Sequence, residues 1–152
     1  MKCILALDMA SHCGWAFQSA TGEISSGVSV FLETLHPGAR WDRFTEWLGT
    51  NLADLVVYEE PIVHFKHRNG LGLGYGFEAV LQLHCHRNGI RAHGVNVSRL
   101  KKWATGHGNA DKALMLRFAA SMGWTMTDDN EVDARWLLEY ARERIVKKRA
   151  SA

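Results

Sequence analysis

Residues 4 to 8 read ILALD, four apolar residues followed at once by an aspartate. An uninterrupted apolar run of this length predicts a β-strand that is covered on both of its faces. A buried, ionised carboxylate is costly unless an opposite charge, hydrogen-bond donors or a metal ion compensates it. Residues 3 to 13 contain no lysine or arginine. The compensating partner of Asp8 must therefore come from a distant part of the chain.

Composition limits the class of protein without deciding its function. The chain has 152 residues, of which 47% are hydrophobic, so we expect one domain over residues 1–152. A net charge of +2 is too small to indicate an acidic partner. No run is long enough to span a membrane, and the N-terminus lacks a signal segment, so we expect a cytoplasmic protein. Three cysteines without a Cys-x-x-Cys motif also suit a reducing compartment.

Hydrophobic periodicity predicts an α/β domain with one mixed sheet. Strands are expected at 2–8, twice within 14–31 around a turn at Thr21 and Gly22, at 54–59 and at 90–97. Helices are expected at 37–52, 75–89, 98–104 (capped by Ser98) and 111–123, and from about Asn130 into the basic C-terminal end. The segment between Pro61 and Tyr75 is expected to be irregular.

Carboxylates occur at the ends of three predicted elements. Asp8 ends the first strand, Glu59 and Glu60 follow the strand LVVY, and acids cluster where the last helix begins. Within that cluster Asn130 and Asp133 share a helix face, and Asp129 lies one turn before Asp133. Oxygen ligands of this kind suit Mg²⁺ or Mn²⁺, and a pair of such ions can hydrolyse a phosphodiester. Alternatively, the helix acids are capping residues and the two glutamates are solvated, although capping does not explain Asp8.

Four segments, in their order along the chain, resemble the RuvC-like Holliday junction resolvases, particularly the compact bacteriophage type. These segments are ILALDMASHCGWA, LVVYEEP, KKWATGHGNADKALM and DDNEVDARWLL. The resemblance implies an RNase H-like mixed sheet of about five strands flanked by helices, and a homodimer. It also implies a metal-dependent endodeoxyribonuclease that cleaves four-way junctions and other branched DNA with two Mg²⁺ or Mn²⁺ ions. A phage-encoded protein would work in the host cytoplasm.

The resemblance assigns metal ligands residue by residue. Asp8 corresponds to the first-strand carboxylate that both ions share, Glu59 to the second acid and Asp133 to the last one. The position three residues before the last acid is often an aspartate in bacterial members, whereas here it is Asn130. An amide oxygen binds a metal ion more weakly and brings no charge. Asp129 or Glu60 could compensate for that departure.

Lysines of the third segment resemble those that the family places near the scissile phosphate. Glycines precede a helix whose first turn offers free N–H groups and carries Lys112, and Lys101 and Lys102 lie just upstream. A cation at this position can hold the backbone and stabilise developing charge. The alternative is a solvated basic face, but the family context favours a functional Lys112.

The segment HFKHRNGLG combines basic side chains with an aromatic ring. Lys66 and Arg68 could hold a nucleic-acid backbone while Phe65 stacks on an unpaired base. Equally, Phe65 could pack beneath its loop as a small extension of the core.

The helix of residues 75–88 offers an interface for the expected homodimer. Its candidate self-complementary stripe consists of Phe77, Val80, Leu81 and His84. The same helix could instead pack wholly against its own sheet, and the sequence leaves both arrangements open.

Three other functions compete with junction resolution. The segment LDMASHCGWA also resembles the first phosphate loop of sugar kinases and related ATPases, but these need a second such domain and a second glycine-rich segment. A non-catalytic nucleic-acid-binding module would have no use for acids on three converging segments. A nuclease that acts on structured RNA with the same fold stays open.

Overall fold

A computed structural model describes residues 2–34, 36–62 and 68–147 of the chain, without the side chains of residues 68–71. The strands are β1 (Ile4–Asp8), β2 (His12–Gln18), β3 (Ile24–Val30), β4 (Leu55–Glu59) and β5 (Arg91–Val95). The helices are α1 (Ala39–Thr50), α2 (Arg68–Asn88), α3 (Val97–Thr105), α4 (Lys112–Ser121) and α5 (Asp129–Tyr140). A π-helical stretch, Ala141–Val146, continues α5. Within the described residues, no helix combines the length and the apolar composition that a membrane crossing needs.

The five strands form one mixed sheet in the order β3-β2-β1-β4-β5. Strand β2 pairs antiparallel with both β1 and β3, and the turn between β2 and β3 contains Gly22, whose φ of 93° suits glycine. Strand β4 pairs in parallel with β1, and β5 pairs in parallel with β4. This arrangement confirms the predicted mixed sheet of about five strands. The carboxyl ends of β1, β4 and β5 therefore lie at the same edge.

Side chains of the central strands alternate between two hydrophobic clusters. Ile4 and Ala6 belong to the cluster formed with α3, α4 and α5, which we call the α3–α5 face. Leu5 and Leu7 belong to the cluster formed with α1 and α2, the α1–α2 face. Because side chains alternate with a period of two, Asp8 follows Ala6 onto the α3–α5 face. Strand β4 alternates in the same way, so Glu59 follows its apolar neighbours onto that face too.

Two local predictions were wrong. Helix α2 begins at Arg68, within the stretch that was expected to be irregular, so several glycines lie in its first turns. Helix α3 is capped by Asn96, whose side chain accepts the N–H of Arg99, and the expected cap Ser98 lies inside the helix. The first error arises because tertiary context overrides weak local preferences, and the second because neighbouring polar residues compete for one capping position.

Of the two arrangements that the sequence left open for α2, the structure favours packing of the stripe within its own fold. Phe77 and Leu81 are fully buried in the cluster of the α1–α2 face and cannot contact a second copy. The helix instead exposes Tyr75 and Leu83, 44% and 48% accessible, with exposed Ala79 between them. These three residues lie at i, i+4 and i+8, which places them on one side of the helix.

Candidate active site

Asp8 and Glu59 are brought together by strand pairing. Strands β1 and β4 are parallel neighbours in which Leu7 lies opposite Tyr58, so the next residue of each strand is an acid. Both acids lie on the α3–α5 face, as the alternation of the strands requires. The aspartate that ends a core strand therefore has a second carboxylate beside it rather than a cation.

Gly14 determines how closely α5 approaches Asp8. It lies opposite Asp8 in the antiparallel pairing of β1 and β2. A Cβ atom added to Gly14 would lie 1.9 Å from the backbone oxygen of Asn130, so only glycine lets the first turn of α5 rest on the sheet here. Ser26 of β3 adds a hydrogen bond of 2.6 Å to the Glu131 carboxylate. These contacts fix the N-terminus of α5 beside Asp8.

The acids at this end of α5 have different tasks. Asp128 caps the helix, because its carboxylate accepts the backbone N–H groups of Asn130 and Glu131. Glu131 is held by β3. The remaining two, Asp129 and Asp133, lie close enough to Asp8 to raise its pKa. The capping interpretation is thus correct for Asp128, whereas the metal-site interpretation stays a prediction for Asp129 and Asp133.

Three acids of the site have raised pKa values. Burial is the main cause of a pKa well above the ordinary value at Asp8, and the charges of Glu59, Asp133 and Asp129 raise it further. Burial, and then the charge of Asp133, raise the pKa of Glu59 to about 7. Burial raises the pKa of Asp133 to about 6, against the influence of Lys101. A bound cation would relieve the mutual repulsion of these carboxylates in their desolvated site.

Two of the three predicted lysines lie near these acids. Lys112 forms an ion pair with Asp129, which lowers the pKa of that carboxylate and raises the pKa of the lysine. Lys101 lies near enough to Glu59 and Asp133 to lower the pKa of both. Lys102 influences the pKa of none of them and lies elsewhere on the surface of α3.

The structure also distinguishes between the two residues, Glu60 and Asp129, that could replace the missing aspartate at position 130. The side chain of Glu60 packs against Gly94 of β5, where an added Cβ would lie 2.7 Å from its Cγ. Asp129 instead interacts electrostatically with both Asp8 and Asp133. Asp129 is therefore better placed than Glu60 to complete the acidic cluster.

The donor chemistry of the site fits a hard divalent cation, since several carboxylates converge with little compensating positive charge. Among the described residues, no three His, Cys, Asp or Glu side chains stand close enough together to hold an ion as they are. Binding would therefore require these side chains to move towards one another. The nucleic-acid contacts predicted at Phe65 and Lys66, and the side chain of Arg68, lie outside the described part of the chain.

Sequence reasoning missed two residues that build this site. Gly14 lies within a quoted motif, but nothing in a single sequence distinguishes a glycine required for close packing from one in an ordinary strand. Ser26 belongs to an edge strand, and its bond to Glu131 joins residues 105 positions apart. In the sequence, Ser26 could be noticed only as a polar residue on the inward side of a predicted strand. That pattern does not indicate which residue it contacts.

No protein-family model and no curated protein sequence matches the chain. Its fold is nevertheless similar to that of RuvC from Thermus thermophilus, with a TM-score of 0.68 and 16% identity, over 92% of this chain and 95% of that one. RuvC of T. thermophilus in complex with a Holliday junction substrate gives 0.68 and 16%, over 90% of each chain. The yeast mitochondrial Holliday junction resolvase gives 0.58 and 12%, over 97% and 83%. The fold is thus that of the RuvC-like resolvases, as the motifs predicted.

Proposed function

We propose that the protein is a metal-dependent, structure-selective endodeoxyribonuclease that resolves Holliday junctions and other branched DNA. The observation that carries the proposal is the convergence of Asp8, Glu59 and Asp133 from three elements at one edge of the sheet. Lysines adjoin these acids, and the fold matches a resolvase solved in complex with a Holliday junction. A non-catalytic binding module would gain nothing from buried carboxylates that repel one another.

The acids of the site would hold two Mg²⁺ or Mn²⁺ ions. When bound, such ions activate a water molecule and stabilise the oxygen that leaves the phosphorus. Asp8 is the natural shared ligand, because the charges of both Glu59 and Asp133 act on it. The raised pKa of Glu59, about 7, means that a bound cation would also displace a proton from the site near neutral pH.

Asp129 supplies the charge that Asn130 lacks. The Asn130 backbone is fixed against Gly14, whereas the Asp129 carboxylate pairs with Lys112 and interacts electrostatically with Asp8 and Asp133. Asp129 would turn from Lys112 towards the cation, and the lysine would then be released to contact the scissile phosphate. We expect Asp129→Asn to weaken Ca²⁺ binding, measured by calorimetry, more than Asn130→Ala does.

The function is tested with four substrates: a four-way junction, a flap, a linear duplex and a structured RNA. Each is incubated with the purified protein in Mg²⁺, Mn²⁺ or EDTA. Selective cleavage of the junction and the flap with either metal, and none in EDTA, supports the proposal. Preferential cleavage of the RNA would move the assignment to an RNA nuclease of the same fold, and cleavage in EDTA would reject the metal mechanism.

We further assign the homodimer contact to the exposed side of α2. Tyr75, Ala79 and Leu83 place a small residue between two larger apolar ones, which lets two such helices approach closely. A junction presents two equivalent strands, so a dimer supplies one site to each. Light scattering should give twice the monomer mass for the wild type and the monomer mass for Leu83→Glu. A wild-type monomer that still makes paired cuts would contradict this assignment.

A further inference from the structure

Helix α3 carries basic residues on two different sides. Lys101 faces the acids, since it lowers the pKa of Glu59 and Asp133. Arg99 and Lys102 are three residues apart and therefore share a side of the helix, and both are exposed. At 3.6 residues per turn, Arg99 points about 200° away from Lys101. The basic charge of α3 is thus divided between the acidic site and a separate surface.

That second surface is a groove of about 440 Å³ between α3 and the end of the chain's last helix. Its lining residues are Arg99, Lys102, Trp103, Tyr140 and Arg144. The rings of Trp103 and Tyr140 meet edge to face with centroids 5.4 Å apart, which gives the groove a rigid aromatic wall. No carboxylate is among the lining residues. The groove therefore combines three cations with a firm apolar surface.

The charges in this groove are available to a ligand. Within the described residues, neither Arg99 nor Lys102 forms an ion pair, and Arg144 pairs only with its chain neighbour Glu143 at the surface. The adjacent surface differs, because Arg135 and Arg142 both contact Glu139 at 2.7 Å. Arg135 and Arg142 are thus paired within the fold, while Arg99 and Lys102 of the groove have no acidic partner among the described residues.

We propose that this groove binds the phosphodiester backbone of the duplex that flanks the cut. It would be a DNA-binding surface separate from the acidic site. The nature of the substrate rests on the proposed function. An arginine can hold a phosphate with two parallel hydrogen bonds, and a lysine adds a mobile charge. A helix with its side chains is about 10–12 Å across, similar to the roughly 12 Å width of a DNA major groove. When one DNA strand lies at the acids, the backbone of the other strand, across the major groove, is therefore within reach of the far side of α3. Lys102 then contacts that second backbone and not the scissile phosphate.

The test compares two double variants that each remove one exposed arginine and one exposed lysine. The first is Arg99→Ala with Lys102→Ala. The control is Arg87→Ala with Lys2→Ala, which removes the same charge from the edge of the sheet opposite the acids. Fluorescence anisotropy with a four-way junction and a linear duplex in Ca²⁺, at several salt concentrations, measures binding without requiring cleavage. Single-turnover cleavage at saturating protein is measured in parallel.

We expect the groove variant to bind both DNAs at least about tenfold more weakly, with a salt slope reduced by about 1.8, and the control to bind like the wild type. At saturating protein, the cleavage rate of the groove variant should stay within about twofold of the wild-type rate. The charge-conserving variant Arg99→Lys with Lys102→Arg should retain most of the affinity. Equal losses in the groove variant and the control, or unchanged binding, would overturn the proposal. Because binding is measured without cleavage, failure of the nuclease assignment remains a separate result.

Discussion

The two faces of the sheet differ in the residues that lie where the helices meet the central strands. On the α1–α2 face, the rings of Phe31, Phe44 and Phe77 meet with centroids 4.9 to 6.2 Å apart. On the α3–α5 face, alanines are fully buried where α5 meets the central strands, including Ala6 and Ala134. Large rings keep helices at a distance, whereas small residues let a helix backbone come close to the sheet.

Strand alternation, together with the close approach of α5, places the candidate chemistry on the α3–α5 face. The alternation of β1 and β4 delivers Asp8 and Glu59 to the α3–α5 face, and the close approach of α5 adds Asp133. An acid on the other face, Glu78, instead accepts a hydrogen bond of 3.0 Å from the Tyr58 hydroxyl and takes part in a packing network with Gln82. Substitutions on the two faces should therefore separate catalysis from packing.

The largest expected effect is that of Asp8→Asn. Removing the carboxylate that we propose as the ligand shared by both ions should lower the cleavage rate by at least about a thousandfold. The thermal midpoint of the metal-free protein should rise, because one of several repelling buried charges is lost. DNA affinity should change little, since basic residues provide it. Full activity at saturating Mg²⁺ would contradict the metal site, and Glu78→Gln on the other face serves as the control that stays active.

Lys112→Ala should follow, with a rate loss of roughly a hundred- to thousandfold and a small loss of affinity. A cation that is placed where charge develops in the transition state contributes on the order of 2.7–4 kcal/mol. Lys66→Ala should instead weaken binding and reduce its salt slope by about one. Single-turnover cleavage and binding in Ca²⁺ are compared for both variants. If the rate defect of Lys112→Ala only follows its binding defect, the lysine is a backbone clamp.

Much of the fold and site follows from period-two reasoning on the sequence. The apolar run before Asp8 and the similar run before Glu59 predict two core strands, and parallel pairing brings their ends together. The sequence predicts the same role for the two neighbouring lysines of α3, Lys101 and Lys102. A helix separates Lys101 from Lys102 by about 100°, and which of the two faces the acids depends on how α3 packs.

Long-range packing determines what the sequence could not predict. The roles of Asp128 to Asp133 depend on where α5 touches the sheet, and that contact depends on Gly14 and Ser26 in other strands. The predicted stripe on α2 has the correct spacing for a helix face. A single apolar periodicity does not say whether its own sheet or a second copy covers the stripe, and the structure buries Phe77 and Leu81 within the fold.

Gly14→Ala should lower activity without removing any functional group. The added Cβ would meet the backbone of Asn130, which cannot rotate away as a side chain can, so the N-terminus of α5 must shift. A displacement of about 1 Å at a catalytic group costs on the order of a hundredfold in rate. The control is Gly49→Ala in α1, where nothing lies within 4 Å of the added atom, and which should gain about 0.5–1 kcal/mol of stability at unchanged activity. Equal rates for the two variants would show that α5 tolerates displacement.

The smallest expected effect is a pH dependence of stability that originates on the α3–α5 face. Burial raises the pKa of Glu59 to about 7 and that of Asp133 to about 6, so the folded protein keeps protons that the unfolded chain has lost. Their contribution is fully present below the unfolded pKa values, near pH 4, and is lost as pH rises through about 7. The free energy of unfolding in EDTA should therefore fall by on the order of 2 kcal/mol between pH 5 and pH 8. Urea unfolding at fixed pH should show a shallower dependence for Asp133→Asn and an unchanged one for Glu78→Gln, and equal slopes in all three proteins would place the titrating groups elsewhere.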